Sequence, residues 1–463
     1  MAKRKPYDPN HPPAQPLVTI RPPLRVLLLY AAGQTGWSLA SYSVANLLIY
    51  FYMPPETGRL VFPTFLHQGA VVGVFTLIGI LSAAGRFFDA VIDPVVANWS
   101  DRSTARLGKR RWFMLYGALP FVLSSFLVFY PVAAGESAGN FMWLALCIGV
   151  YYFFFTFYVI PYTALIAELG HRPEDRMLIS TLLSVAWALG FVAGNSIYAL
   201  QSYFEGQGRG PVEAFQTSLL LLNGIALVFL LLPALLLNEK RYARQMPSEH
   251  GLRKALTAVL GNRNFRQFLL SDLLYWLALN FIQLGIGFYT TLLLQLDKRY
   301  AFVFSLVSFA VSFGFYAPVN FLARRLGKKR LVLAAFWVFA LLFAAVAILR
   351  AVPLPRVWLL YGLGVAAAFP LAVFGIIPNA LIGDAVEQEE KETGRQLAGM
   401  FFGVRAFVMK VGISLANLVF PSLLLLGKSM ENPAGVTATA VAAVVFCLAG
   451  WQVFRKFEEV KPG

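Results

Sequence analysis

The sequence predicts an all-α integral membrane protein of twelve transmembrane helices in two six-helix bundles. Three observations predict it. Of the 463 residues, 58% are hydrophobic and only 13% charged, whereas an ordinary soluble domain carries about 25% charge. The apolar residues gather into runs of roughly 20 or more, the length a helix needs to cross a bilayer. The charged residues gather between those runs, and Lys and Arg are dense in alternate connections and sparse in the others.

Taken in order, the runs are 24–52, 68–98, 111–131, 141–167, 177–201, 214–237, 264–294, 299–323, 329–350, 357–383, 395–426 and 434–454. Several are longer than a bilayer requires, so they tilt or project past the headgroups. Residues 1–23 form a polar, Pro-rich leader; the apolar run behind it is too long for a signal peptide. The hydrophilic connection 238–263 separates an N-terminal bundle (24–237) from a C-terminal one (264–454), and 455–463 form a tail.

An even number of spans puts both termini on one side, and the basic residues choose which. The leader (Lys3, Arg4, Lys5, Arg21, Arg25), the 2–3 connection (Arg102, Arg106, Lys109, Arg110, Arg111), the middle connection and the 8–9 connection (Arg324, Arg325, Lys328, Lys329, Arg330) all fall on it. The other side has Arg59, Arg209, Lys298, Arg299, Arg350, Arg356 and Lys428. Both termini are therefore expected in the cytoplasm, in a bacterial-type plasma (inner) membrane. The net charge of +16 reflects this topology and attraction to anionic lipid; no nucleic-acid partner is expected.

Other classes lack residues. Cys147 and Cys447 lie in apolar runs, and His11, His67, His171 and His250 lie outside them, so no disulfide framework, metal site or other cofactor is expected. There is no phosphate-binding Gly loop and no nucleophile–His pair, so no enzyme is expected.

The halves keep a trace of duplication. Segment 2 leads into "DPVVANWSDRSTARLGKRRW" and segment 8 contains "APVNFLARRLGKKRLV", each with a Pro-Val pair and then an Arg-Leu-Gly-Lys-basic-basic turn. Parallel six-helix repeats around a central site are the architecture of major facilitator transporters. Ala317 stands in segment 8 where segment 2 has Asp93, so the acids serve the N-terminal half alone.

Ionisable groups inside spans are costly and mark function by default. Asp89 and Asp93 lie one turn apart on one helical face. Two such carboxylates repel, so one takes a proton or a cation sits between them. Lys410 has no acid on its own face, and Asp89 or Asp93 across the bundle would satisfy it. Arg86, Asp101, Arg102, Glu168, Arg176 and Asp384 are read as a cytoplasmic gate, and Asp272 as a gate or cap residue. Segment 4 holds "YYFFFTFYVIPYTAL", with the Thr156 hydroxyl just over a turn before Pro161.

"GRFFDAVIDP", "IPYTAL" and "GRQLAGMFFGVRAFVMKVG" together resemble the glycoside–pentoside–hexuronide:cation symporter family, along the whole chain. The resemblance implies that Asp89, Asp93 and Thr156 bind a coupling cation and that Lys410 is coupled to that site. Melibiose-carrying members have Asn just before the second acid, where this chain has Ile92, which offers no oxygen. Both H+ and Na+ stay open, with the balance toward H+.

Those members also grip sugar hydroxyls with charged residues, where this chain has Trp37, Ser38 and Val159. The resemblance thus implies a cation-coupled symporter of a sugar or glycoside, working by alternating access as a monomer. Its cavity residues would be Trp37, Ser38, Asn46, Tyr158, Val159, Asn280 and Gln283. The alternative is a coupled transporter or uncoupled flippase of lysophospholipid-like amphiphiles, the substrates of another branch.

Overall fold

The computed structural model describes residues 20–58, 62–243, 261–393 and 398–459. Most of the leader, the bulk of the middle connection and the last four residues of the tail lie outside them.

In the N-terminal half, α1 (Leu24–Asn46) and α2 (Leu48–Tyr52) make one crossing. After it come α3 (Leu77–Arg102), α4 (Lys109–Leu127) and α5 (Ala138–Leu169). A broken crossing of α6 (Pro173–Asn195) and α7 (Ile197–Gly206) is next, then α8 (Pro211–Leu236) and the short α9 (Glu239–Tyr242). The C-terminal half contains α10 (Arg263–Phe288), prolonged by a π turn Tyr289–Leu293, and α11 (Arg299–Leu326). It is completed by α12 (Lys328–Ala347), α13 (Arg356–Thr393), α14 (Ala398–Leu424) and α15 (Ala434–Phe454). Composition alone marks nine of the described crossings as membrane spans. The more polar α1, α3 and α4 complete the N-terminal bundle, and at about 1.5 Å per residue each is long enough to cross.

One sequence boundary is corrected. The apolar pattern assigns residues 68–76 to the start of segment 2, but Ala70–Val72 (β1) and Phe75–Thr76 (β2) pair as an antiparallel hairpin. Gly73, at φ +58°, makes its turn, and the valines favour extended backbone. The helix starts at Leu77, where Thr76 Oγ1 accepts the Gly79 amide at 3.2 Å.

Small residues let the helices close up. A Cβ on Gly36 of α1 would lie 2.7 Å from the Leu230 amide of α8, and one on Gly190 of α6 would lie 2.6 Å from the Thr35 carbonyl of α1. These contacts knit the first half into one body.

The duplicated turn is built the same way twice. Gly108 and Gly327 have φ of +119° and +89°, a conformation favouring glycine. Each precedes a helix whose first amides are capped by a distant carboxylate. Glu239 accepts from the Arg110 and Arg111 amides at 3.0 and 2.9 Å. Glu459 accepts from those of Lys328 and Lys329 at 2.6 and 3.1 Å. Negative charge at a helix N-terminus is favourable, although burial raises the Glu239 carboxyl above its ordinary range. These turns define the basic face of the bundle.

On the far face the halves are clasped. Glu56 bridges Ser429 in parallel fashion, and its amide donates to the Lys428 carbonyl at 2.9 Å. Lys428 Nζ reaches Glu56 Oε1 at 2.6 Å and the Pro54 carbonyl at 3.1 Å. Lys298 pairs with Glu205 at 2.6 Å across the same seam.

Candidate functional site: a charge cluster between the halves

Helix α3 lies along α14, so the face of α3 bearing both acids meets the other half. Pro94 stands directly after the second acid and withholds the amide that would bond the Ala90 carbonyl, between the two carboxylates. Asp89 is 0% exposed. Thr156 of α5 donates to Asp89 Oδ1 at 2.6 Å and lies 3.5 Å from Asp93 Oδ1, the second contact being marginal. From α14, Lys410 Nζ reaches Asp93 Oδ2 at 2.6 Å and Asp89 Oδ2 at 2.9 Å. One ammonium thus clips two carboxylates of the opposite half.

Arg86 requires a correction. Its place in the sequence groups it with the gate, but Nη1 lies 3.4 Å from Asp89 Oδ2 and the guanidinium lies over the Tyr152 ring, 5.3 Å from its centroid. At about 1.5 Å per residue it also stands roughly 24 Å along α3 from Arg102, beyond reach of the basic turn. Two acids and two cations therefore balance the cluster. A cation that enters must displace Lys410 or leave the site with surplus positive charge. The side chains of Asp93 and Lys410 are 23% and 12% exposed, whereas that of Asp89 is 0%, so the cluster is open on their side and closed at Asp89.

Of the remaining gate residues, Asp101 and Glu168 join a network in the first half and Asp384 one in the second. Arg110 Nη2 pairs with Asp101 at 2.5 Å and Glu168 at 2.7 Å, with Lys109 3.3 Å from Glu168. In the other half Lys328 pairs with Asp384 at 2.5 Å. Lys109 and Lys328 hold equivalent positions in the duplicated turn, and each pairs with an acid near the end of a long helix, Glu168 on α5 and Asp384 on α13. Arg176 donates to the Gly170 carbonyl at 3.0 Å, closing the loop before α6, and Arg102 ends α3 exposed. Asp272 caps nothing. Buried in α10, it holds Arg405 of α14 by two contacts of 3.0 and 3.2 Å, and Arg405 also donates to Asn379 at 2.8 Å.

Several cavity candidates are committed to packing. Tyr158, fully buried, donates to the Leu230 carbonyl at 2.9 Å, and Ser38 to the Trp187 carbonyl at 2.8 Å. Both point into the N-terminal half, because α1, α5, α6 and α8 close tightly there; they are corrected to packing residues. Asn46 and Asn280 donate to carbonyls one turn back, Tyr42 and Trp276. Trp37 donates to Gln34 at 3.1 Å and meets Phe155 edge-on, with Val159 one turn further along α5 and buried. Gln283 lines a pocket between α6, α10 and α11. Sequence reasoning missed Arg110, Asn195 and Ser305. A basic residue in a loop, or an amide and a hydroxyl in apolar helices, gives no signal until the fold aligns them.

A two-half helical bundle with an ion-paired carboxylate cluster across its seam defines a membrane transporter of the major facilitator class. Residues 29–453 match the family described as MFS/sugar transport protein, and the chain belongs to that family. It is 24% identical over 391 residues to YagG of Escherichia coli (strain K12), provisionally named a glycoside/cation symporter, covering 84% of this chain and 80% of YagG. It is 23% identical over 431 residues to the mouse sodium-dependent lysophosphatidylcholine symporter 1, covering 82% and 78%. The solved nucleoside transporter NupG (D323A mutant) superposes with a TM-score of 0.66 at 12% identity, covering 94% of this chain and 100% of that one; this likeness concerns the fold.

Proposed function

We propose that the chain is a cation-coupled symporter that moves a sugar or glycoside by alternating access, with its basic face in the cytoplasm. One observation carries the reading: Lys410 of one half occupies the space between Asp89 and Asp93 of the other, at 2.9 and 2.6 Å. A cation arriving at the acids releases Lys410, and with it one tie between the halves. Cation occupancy and rearrangement of the halves are thus linked through shared oxygens. Side chains supply four carboxylate oxygens and the Thr156 hydroxyl, and Ile92 adds none. A proton needs one carboxylate alone, and without an oxygen from residue 92 the set is at the low end of what Na+ takes, so the balance leans to H+.

The named activity of YagG supports the sugar or glycoside class. A second reading, a lysophospholipid-like amphiphile, is favoured by the neutral Trp37, Ser38 and Val159 and by the mouse relative. The test is uptake into proteoliposomes under imposed H+ and Na+ gradients. Asp93→Asn abolishes gradient-driven accumulation while the protein stays folded. Undiminished uptake by that variant would exclude the coupling role.

A further inference from the structure

We propose that a pocket between the halves, centred on Asn195, Gln283 and Ser305, binds a neutral hydroxyl-bearing arm of the transported solute. This rests on the symporter reading and adds the substrate's contacts and chemical class.

The pocket, about 30 Å³ in volume, is enclosed by α6 of the first half and by α10 to α13 of the second. Such a space holds roughly one water-sized group, the size of a hydroxyl. Asn195, on α6, is 1% exposed. Its amide meets the Ser305 hydroxyl of α11 at one end, while the other end, Oδ1 as placed, has no partner. Turning the amide over exchanges the two ends, so this lining residue keeps one unpartnered donor or acceptor either way. A buried orphan costs about 1–3 kcal/mol, which a solute hydroxyl, both donor and acceptor, would recover. The half-buried Gln283 amide is also on the lining. Ser308 donates to the Phe304 carbonyl at 2.8 Å, leaving its oxygen able to accept.

The rest of the wall is apolar: Phe191 and Phe309 lie with ring centroids 5.1 Å apart beside Leu279, Ile282 and Ile286, so the space takes one hydroxyl-sized group and leaves the body of the solute outside it. No ionisable residue lines the pocket. A carboxylate or phosphate would be desolvated there without a counter-charge, at a cost of several kcal/mol. The pocket therefore selects a neutral group. Asn195 and Gln283 come from opposite halves, so an occupant touches both.

The test uses the full chain in nanodiscs and thermal stabilisation by a panel. The panel holds neutral sugars (xylose, galactose, lactose, melibiose and their methyl glycosides), glucuronate and lysophosphatidylcholine. At least one neutral sugar stabilises the wild type, and Asn195→Leu and Gln283→Leu each raise its Kd about tenfold or more, the loss of a hydrogen bond to a buried partner. Asn195→Ser, a smaller perturbation, guards against misfolding by raising the Kd in the same direction. Stabilisation only by glucuronate or lysophosphatidylcholine, by no probe, or by a neutral sugar whose Kd stays within twofold in all three variants overturns the proposal. Cation-dependent stabilisation without sugar reports on the Asp89–Asp93 cluster alone. If it persists while the pocket variants fail to behave as stated, the pocket assignment falls and the coupling reading stands.

Discussion

Lys410→Met removes the ammonium that clips Asp89 and Asp93 and keeps most of its volume. At the observed 2.9 and 2.6 Å, each contact is worth about 6 kcal/mol at an effective dielectric of ~20. Desolvating the ammonium removes several kcal/mol of that, and truncating one partner of a buried pair typically costs about 3–5 kcal/mol net. If half of that sum opposes cation entry in the wild type, removing it tightens cation binding by at least about tenfold. The assay is thermal melting of purified protein, titrated with Na+ at fixed pH and with pH at fixed Na+. Lys410→Met is less stable without added cation. Its stabilisation by the coupling cation appears at a cation concentration at least tenfold lower than in the wild type. Uptake is uncoupled, because no side chain is left to retake the acids when the cation departs. A variant with unchanged cation midpoints and unchanged stability would refute both the competition and the charge accounting behind it.

Thr156→Val removes the 2.6 Å donor to fully buried Asp89; the expected loss is about 1.5–3 kcal/mol for a hydrogen bond to a charged group, measured by melting, with weaker cation stabilisation. Lys428→Met frees Glu56 and the Pro54 carbonyl on the far face. Hydrogen–deuterium exchange then rises in Leu48–Tyr52 and around Ser429, while the basic-face turns at Gly108 and Gly327 keep their protection. Asp272→Asn strands Arg405 and costs about 3–5 kcal/mol, but pairing it with Arg405→Gln restores much of the loss, since removing both charges also removes their desolvation. A double-mutant cycle by melting temperature reads the difference.

The acids of α3 were legible because charge inside an apolar run is rare enough to stand out by itself, and so was Lys410. Arg86 was not. Its identity as a basic residue suited the gate, and only the folded helix shows it held between Asp89 and the Tyr152 ring brought in by α5. Tyr158 and Ser38 were misplaced for a similar reason. A polar side chain in a membrane helix faces either a cavity or a neighbouring carbonyl, and only the rotation of each helix against its neighbours distinguishes these. The hairpin at Ala70–Thr76 escaped because valines count as apolar whether their backbone is helical or extended.

By itself the sequence determined the features that local composition and order dictate: a membrane-spanning all-α chain, its crossings, its division into halves and its few intramembrane charges. Hydrocarbon forces that outcome, since backbone groups there must be satisfied within each helix. The tertiary structure decided the pairings. It set Lys410 against acids 317 and 321 residues earlier, gave both duplicated turns a carboxylate cap from a distant segment, and left Asn195 with half its amide unpartnered. Those outcomes depend on which helix faces lie within about 3 Å of one another, and hydrogen-bond and ion-pair energies fall away over distances that only the folded packing fixes.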